Sequence, residues 1–138
     1  MTAQIRESLV FNGEEYYIAS EPLYPYIVEH NLRFMATNTA CWRGYRGSWA
    51  IEDNKLYLVE LSGFLLEGNN RKNIDLKDIF PNQDKVFAEW FSGEIRIPYG
   101  EMLEYIHMGY MSVYEKEMFL KFESGVLVGS REIDNTKK

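Results

Sequence analysis

The chain has 138 residues, a net charge of −6 and one cysteine, Cys41. This length predicts a single domain that buries a core of its own without help from a disulfide or a metal. One cysteine excludes an intramolecular disulfide, as is typical of a reducing compartment. The negative charge disfavours nucleic acid and anionic membranes as partners and favours a basic partner or none.

The sequence shows the features of neither a secretion signal nor a membrane span. The N-terminal stretch lacks a basic region followed by an apolar one, and no apolar run approaches the roughly 20 residues that cross a bilayer. We therefore expect a cytoplasmic, soluble protein. Aromatic residues make up 15% of the chain, and this enrichment favours strands, where flat side chains pack on a pleated surface.

The first predicted elements are a hairpin and a short helix. The segments ESLVF and EYYIAS flank Asn12-Gly13, a pair that tolerates the positive φ angles of a type I′ turn. The stretch EPLYPYIVEHN follows, with Leu23, Tyr26, Ile27 and His30 at helical spacing. One or two helical turns are therefore predicted here.

The middle of the chain predicts strands and a second helix. LRFMATNTA is interpreted as a strand, and GSWAI and LYLVEL form a second hairpin around the turn EDNK. In NIDLKDIF, Asn73 is the predicted cap of a short helix that stops at Pro81. KVFAEWF and EIRIP are predicted to form a third hairpin around Ser92-Gly93.

The last third of the chain predicts strands throughout. The segment EMLEYIHMGY is compatible with helix or strand, and its neighbours favour strand. YEKEMFLKF and VLVGSREI close the chain as a fourth hairpin. The expected fold is mainly β, with α+β as the alternative: an antiparallel meander of about eight strands closed as a barrel or sandwich, with one or two short helices. It occupies residues 1–133, and residues 134–138 form a disordered tail.

Motifs for catalysis, metals or cofactors are missing from the sequence. The two histidines, His30 and His107, are far apart in the chain, and Cys41 has no CxxC partner. No GxSxG elbow holds a serine, and Gly44-Tyr45-Arg46-Gly47 lies between predicted strands rather than helices. We therefore expect no cofactor and no metal, and favour a protein without catalytic activity.

The stretch CWRGYRGSW is the first candidate binding site. Alternation along a strand places Arg43 and Tyr45 on one face, with Trp42 and Arg46 on the other, and a glycine bulge is expected before Trp49. In one interpretation a tryptophan fills the core and the arginines lie along the surface. In the other, arginine and aromatic groups converge on an anionic or planar ligand or on a partner protein.

A second candidate site is the segment EYIHMGYMSVYE, which holds His107 and Tyr110 beside two methionines. If it is exposed, such a segment can bind adaptably through methionine. If it is buried, it contributes to the core and the sheet. Arg96, in the preceding predicted strand, is a third arginine available to a carboxylate or a phosphate.

Two motifs resemble small uncharacterised bacterial proteins, some of which look like immunity or accessory proteins of toxin systems. The first runs from Trp42 through Gly44-Tyr45, Trp49 and Ile51 to Lys55-Leu56-Tyr57-Leu58, and the second is Ser92-Gly93-Glu94-Ile95-Arg96-Ile97-Pro98. The likeness covers about half of the chain and implies a binding role. It carries over no catalytic residue.

Three functions are compatible with these observations. The first is a non-catalytic interaction protein, most concretely an immunity-type inhibitor that binds a basic toxin, which acidic side chains would steer. The second is a β-barrel that binds a small anionic or planar ligand. The third is a hydrolase that pairs a carboxylate with His107. The oligomeric state stays open.

Overall fold

The computed structural model describes residues 6–36, 43–68, 70–104, 110 and 112–136. The protein is mainly β, with two short helices. The strands and helices, in chain order, are β1 Glu7–Phe11, β2 Glu14–Ile18, α1 Tyr24–Glu29, β3 Tyr45–Glu52, β4 Lys55–Glu67, β5 Asn70–Asp75, α2 Leu76–Ile79, β6 Val86–Phe87, β7 Gly93–Glu104, β8 Val113–Glu123 and β9 Val126–Asp134.

Three tight turns confirm three of the predicted hairpins. Asn12 and Gly13 both have positive φ between β1 and β2, and so do Asp53 and Asn54 between β3 and β4. Ser124 and Gly125 do the same between β8 and β9. Two successive positive φ angles match the twist of the flanking strands, which is why these short turns close hairpins.

The strands form one mixed sheet in the order β2-β1-β3-β4-β9-β8-β7, and β5 and β6 also pair with β4. Strands β1 and β3 pair in parallel, so the expected purely antiparallel meander is wrong at this point. A parallel pair needs a crossover connection, and the segment that contains α1 supplies it.

The sheet does not close into a barrel. Its two ends approach where the Ala19 amide donates to the Arg96 carbonyl at 2.8 Å. No strand ladder joins β2 to β7 in the described part of the chain, and all nine strands belong to a single open sheet. The expected barrel is therefore not supported.

The core lies inside this bent sheet and is filled by side chains. Its fully buried members include Leu9 and Ile18 from the first hairpin and, from later strands, Trp49, Leu56, Leu58, Ile95, Ile97, Leu120 and Phe122. The described residues include no helix that is long and apolar enough to cross a membrane.

The connection between β2 and β3 packs through aromatic side chains. Helix α1 begins after Leu23, with Pro25 in its first turn. The ring centroid of Tyr26 lies 4.9 Å from the ring centroid of Phe80 and 4.9 Å from that of Trp90. The Trp90 indole donates to the Pro22 carbonyl at 2.8 Å. These contacts anchor α1 against the loop that precedes β7, and this fixes one wall of the site described below.

Two predicted local features differ in the structure. Helix α2 is capped by Asp75 rather than Asn73, because Asp75 and Asp78 exchange backbone and carboxylate hydrogen bonds in a capping box. The predicted third hairpin is wrong: β6 pairs with β4, and β7 pairs with β8. Residues 88–92, which the hairpin would need in its first strand or turn, lie outside any strand, so β6 has only two residues.

The remaining expectations concern the ends of segments. LRFMATNTA makes one bridge, Phe34 to Leu65, and its residues 37–40 lie outside the described residues. The strand predicted for EMLEYIHMGY is confirmed over residues 101–104, where it continues β7. Strand β9 includes Asp134, and the Asn135 side chain donates to the Tyr114 carbonyl at 2.8 Å.

Candidate functional site

A buried carboxylate, Glu7, is the centre of the candidate site. It is the first residue of β1, and its side chain is 0% exposed. Its Oε1 accepts a hydrogen bond of 3.0 Å from the Trp49 indole, and its Oε2 lies 3.5 Å from Nε of Arg43. Burial raises the pKa of Glu7 to about 7, although Arg43, the Trp49 indole and the Gly47 amide favour its ionised form.

The alternation of β3 makes room for this carboxylate. Tyr45, Gly47 and Trp49 face inward and are buried, while Arg46 faces outward and is exposed. A Cβ atom on Gly47 would collide with Oε1 of Glu7 and would lie 3.2 Å from the Trp49 indole nitrogen. Glycine at this position is therefore a packing requirement, because the missing side chain is the space that Glu7 occupies.

Arg43 reaches from the start of β3 into the same cluster. Its side chain is only 3% exposed, and its guanidinium carbon lies 5.4 Å from the Tyr45 ring centroid. Its Nη1 donates to the Tyr110 hydroxyl at 3.3 Å. The expectation that the arginines of this stretch lie along the surface is therefore wrong for Arg43, because Glu7 balances its charge inside the protein.

Two tyrosines complete the environment of Arg43. Burial raises the pKa of Tyr45 and of Tyr110 well above the ordinary value, and the negative charges of Glu7 and Glu21 add to the rise. A hydrogen bond with the Glu21 carboxylate also raises the pKa of Tyr110. Both phenols therefore stay neutral near neutral pH.

Tyr110 also connects this cluster to a second arginine. Nη1 of Arg96 donates to the Tyr110 carbonyl at 2.7 Å, while Nε of Arg96 pairs with Glu117. The second oxygen of Glu117 accepts from the Asn135 amide at 3.1 Å. One residue, Tyr110, thus contacts Arg43 through its side chain and Arg96 through its backbone.

The structure brings together five of the residues that the sequence singled out. Arg43, Tyr45, Trp49, Arg96 and Tyr110 form one connected cluster through the contacts above. Arg46 lies on the opposite face of β3. Trp42 and His107 lie outside the described residues, as does Cys41.

The expected irregularity before Trp49 is present, but the extra residue is in the partner strand. Ser48 faces Glu60 and Trp49 faces Leu58, so Val59 of β4 is left without a partner in β3. Strand β3 therefore keeps its alternation through Gly47, which is why Tyr45 and Trp49 share a face.

Sequence reasoning missed the two carboxylates, Glu7 and Glu21. A signal for Glu7 was available: Leu9 faces the core, and period-two alternation places Glu7 on the same face. No comparable pattern surrounds Glu21, because it precedes a proline in an irregular connection.

A pocket opens beside this cluster, between α1 and the start of β3. Its volume is about 300 Å³, and we call it the α1 pocket. It is lined by Glu21, Tyr24, Ile27, Leu32, Arg33, Phe34, Arg43 and Tyr45.

A second depression of about 380 Å³ shares part of that lining and continues along α1. It is lined by Tyr24, Ile27, Val28, Asn31, Leu32 and Arg33. We call the two together the α1 groove. Tyr24 and Val28 are large side chains that stay 59% and 56% exposed beside it. The groove is therefore an open surface feature with an apolar wall rather than an enclosed cavity.

Glu7 has one property of an acid–base catalyst and lacks another. Glu7 has a pKa near neutrality, as a general acid or base would. Its side chain, however, is 0% exposed, with Oε1 accepting from Trp49 and Oε2 lying 3.5 Å from Arg43 without a hydrogen bond. Among the described residues, no three His, Cys, Asp or Glu side chains cluster to hold a metal ion.

No protein-family model, curated protein sequence or solved structure matches this chain.

Proposed function

We propose that the protein is a non-catalytic interaction protein that binds a basic protein partner through the α1 groove, most concretely as an immunity-type inhibitor of a toxin. The observation that carries this proposal is the exposure of Tyr24 and Val28 beside the groove. Large apolar side chains with charged residues around them are typical of protein-binding surfaces.

The charge of the chain supports a basic partner. A net charge of −6 attracts a positively charged protein over several ångströms and speeds their encounter. Glu21 lines the α1 pocket, and Glu29 is the last residue of α1. The apolar wall would then contribute most of the affinity, because burying it removes water from both surfaces.

A small ligand in the α1 pocket is the second candidate function. The volume of about 300 Å³ lies at the lower end of the range for small-molecule sites. The filled core and the open sheet do not support the barrel form of this hypothesis. The hydrolase hypothesis depends on His107, which lies outside the described residues.

The proposal is tested by capturing partners from a lysate of the native cells with the tagged chain. The variant Val28→Glu places a charge on the groove, and Val128→Glu is the matched control, since Val128 is 51% exposed on β9. We expect the wild type and V128E to retain one basic protein that V28E loses, with weaker retention at high salt. Equal retention by both variants would exclude the groove as the contact surface.

The inhibitor role needs a separate test with the captured protein. Expressed alone, that protein should arrest growth, and co-expression of the wild type should restore it while V28E should not. A partner that is harmless alone would contradict an immunity role and leave only a binding role. A retained metabolite without any protein would favour the small-ligand candidate.

A further inference from the structure

We infer that the α1 pocket receives a single cationic side chain, an arginine or a lysine, from the partner. This inference rests on the proposed function, because it assigns the chemistry of one pocket within the same groove. It is carried by the Glu21 carboxylate, by the aromatic walls of the pocket and by the burial of Arg43 against protein groups.

Glu21 lines the pocket and keeps its negative charge available. It forms no ion pair with any residue of the described ranges. Its negative charge raises the pKa values of Glu7, Tyr45 and Tyr110. Its contact with the neutral Tyr110 hydroxyl orients the carboxylate without cancelling its charge. A cation that enters the pocket would therefore find a carboxylate held in position.

Aromatic rings form the other walls. Tyr24, Phe34 and Tyr45 line the pocket, and the Phe34 and Tyr45 rings pack with their centroids 4.9 Å apart. The Arg43 guanidinium already lies 5.4 Å from the Tyr45 ring centroid, so Tyr24 and Phe34 are the rings whose quadrupole would attract a further cation. Aromatic faces together with one carboxylate are the elements that recognise guanidinium and ammonium groups.

Two arginines also line the pocket, and their charges have to be accounted for. Arg43 is only 3% exposed, and Glu7, the Tyr45 ring and the Tyr110 hydroxyl surround its guanidinium, so it presents little of its surface to a guest in the pocket. Arg33 lines both depressions as an exposed side chain, so solvent screens its charge. A cationic guest with its charge towards Glu21 therefore meets one carboxylate and one screened cation, and Arg33 can pair with an acidic group of the partner.

The inference can be tested without the partner, with capped amino acids as probes. N-acetyl-arginine amide is the cationic probe, N-acetyl-citrulline amide is its neutral isostere, and N-acetyl-aspartate amide is the anionic probe. Amide chemical shifts of the groove residues would report binding in the millimolar range. We expect the arginine probe to bind about tenfold more tightly than citrulline, the scale of one desolvated cation contact.

Two variants locate the charge. Glu21→Gln keeps the shape and the acceptor for Tyr110 but removes the charge, and should reduce arginine binding to the citrulline level. Glu29→Gln changes the net charge equally on α1 outside the pocket, and should leave the tenfold preference intact. Equal binding of arginine and citrulline, tighter binding of aspartate, or no saturable shift would overturn the inference.

The outcome separates this inference from the proposal on which it rests. If the probes fail while V28E still loses the partner, the groove binds the partner but the pocket does not take a cation. If the arginine probe binds and V28E retains the partner, the pocket is a cation site outside the partner surface.

Discussion

The side chains of Glu7 and Arg43 form an ion pair of 3.5 Å that solvent scarcely reaches, with exposures of 0% and 3%. Burying both charges is costly, and the hydrogen bonds from Trp49 and Gly47 only partly offset the cost for Glu7. This balance leaves the pKa of Glu7 at about 7, against an ordinary value of 4.5.

The free energy of unfolding should therefore fall as pH rises from about 4.5 to about 7, by an amount on the order of 3 kcal/mol from Glu7 alone. Within this window the folded protein keeps a proton on Glu7 that the unfolded chain has already released. Below the window both states are protonated, and above it both are ionised. Urea denaturation at several pH values measures how the free energy of unfolding changes with pH. This measured slope is the sum over Glu7 and every other titrating group.

The variant Glu7→Gln isolates the contribution of Glu7. The difference between wild type and E7Q should change across this window and stay flat outside it. Glu14→Gln, at an exposed position of the same hairpin, should reproduce the wild-type slope there. A wild-type profile parallel to that of E7Q would show that Glu7 titrates at its ordinary value.

Gly47 should tolerate no side chain. Gly47→Ala places a Cβ against Oε1 of Glu7 and close to the Trp49 indole, and we expect a loss of about 3 kcal/mol of stability. Gly129→Ala is the matched control on β9, because nothing lies within 4 Å of the added atom, so its stability should change by less than about 0.5 kcal/mol. Equal effects in thermal or urea unfolding would show that the space around Gly47 is not needed by Glu7.

The structure caps helix α2 with Asp75, whereas the sequence predicted Asn73 as the cap. Alanine variants at the two positions distinguish these possibilities. Asp75→Ala removes the acceptor of the Asp78 amide, and should cost about 1 kcal/mol of stability. Asn73→Ala, at the position predicted as the cap, lies in β5 with its residue exposed, and should cost less than about 0.5 kcal/mol. Denaturant midpoints compare the two, and a larger effect of N73A would favour the predicted cap.

What could be predicted from this sequence is what depends on neighbouring residues. Asn12-Gly13 and Asp53-Asn54 adopt positive φ because asparagine, aspartate and glycine tolerate it, so their hairpins can be predicted from the local sequence. Strand pairing is different, since the parallel contact of β1 with β3 and the choice of β4 by β6 are set by long-range packing. Local patterns carry no information about such partners, and they predicted a third hairpin that does not form.

The same distinction holds for the candidate site. Alternation correctly separated Tyr45 from Arg46, because it depends only on strand geometry. The burial of Arg43 was not predictable from its own segment. It depends on Glu7, 36 positions earlier in the chain, and on the space that Gly47 leaves for it.

Tyr110 contacts Arg43 through its hydroxyl and Arg96 through its carbonyl. Removing the hydroxyl therefore tests the contact with Arg43 without changing the backbone contact with Arg96. Tyr110→Phe deletes the group that accepts from Arg43 and contacts Glu21, and should cost about 1 to 2 kcal/mol of stability because buried polar groups lose a partner. Tyr24→Phe is the matched control, since Tyr24 is 59% exposed, and should change stability by less than about 0.5 kcal/mol.

Combining Y110F with Arg43→Met completes a double-mutant cycle, measured by urea denaturation. The two losses should add to more than the double variant shows, because they share one hydrogen bond. Strict additivity would mean that the Tyr110 hydroxyl stabilises the protein independently of Arg43.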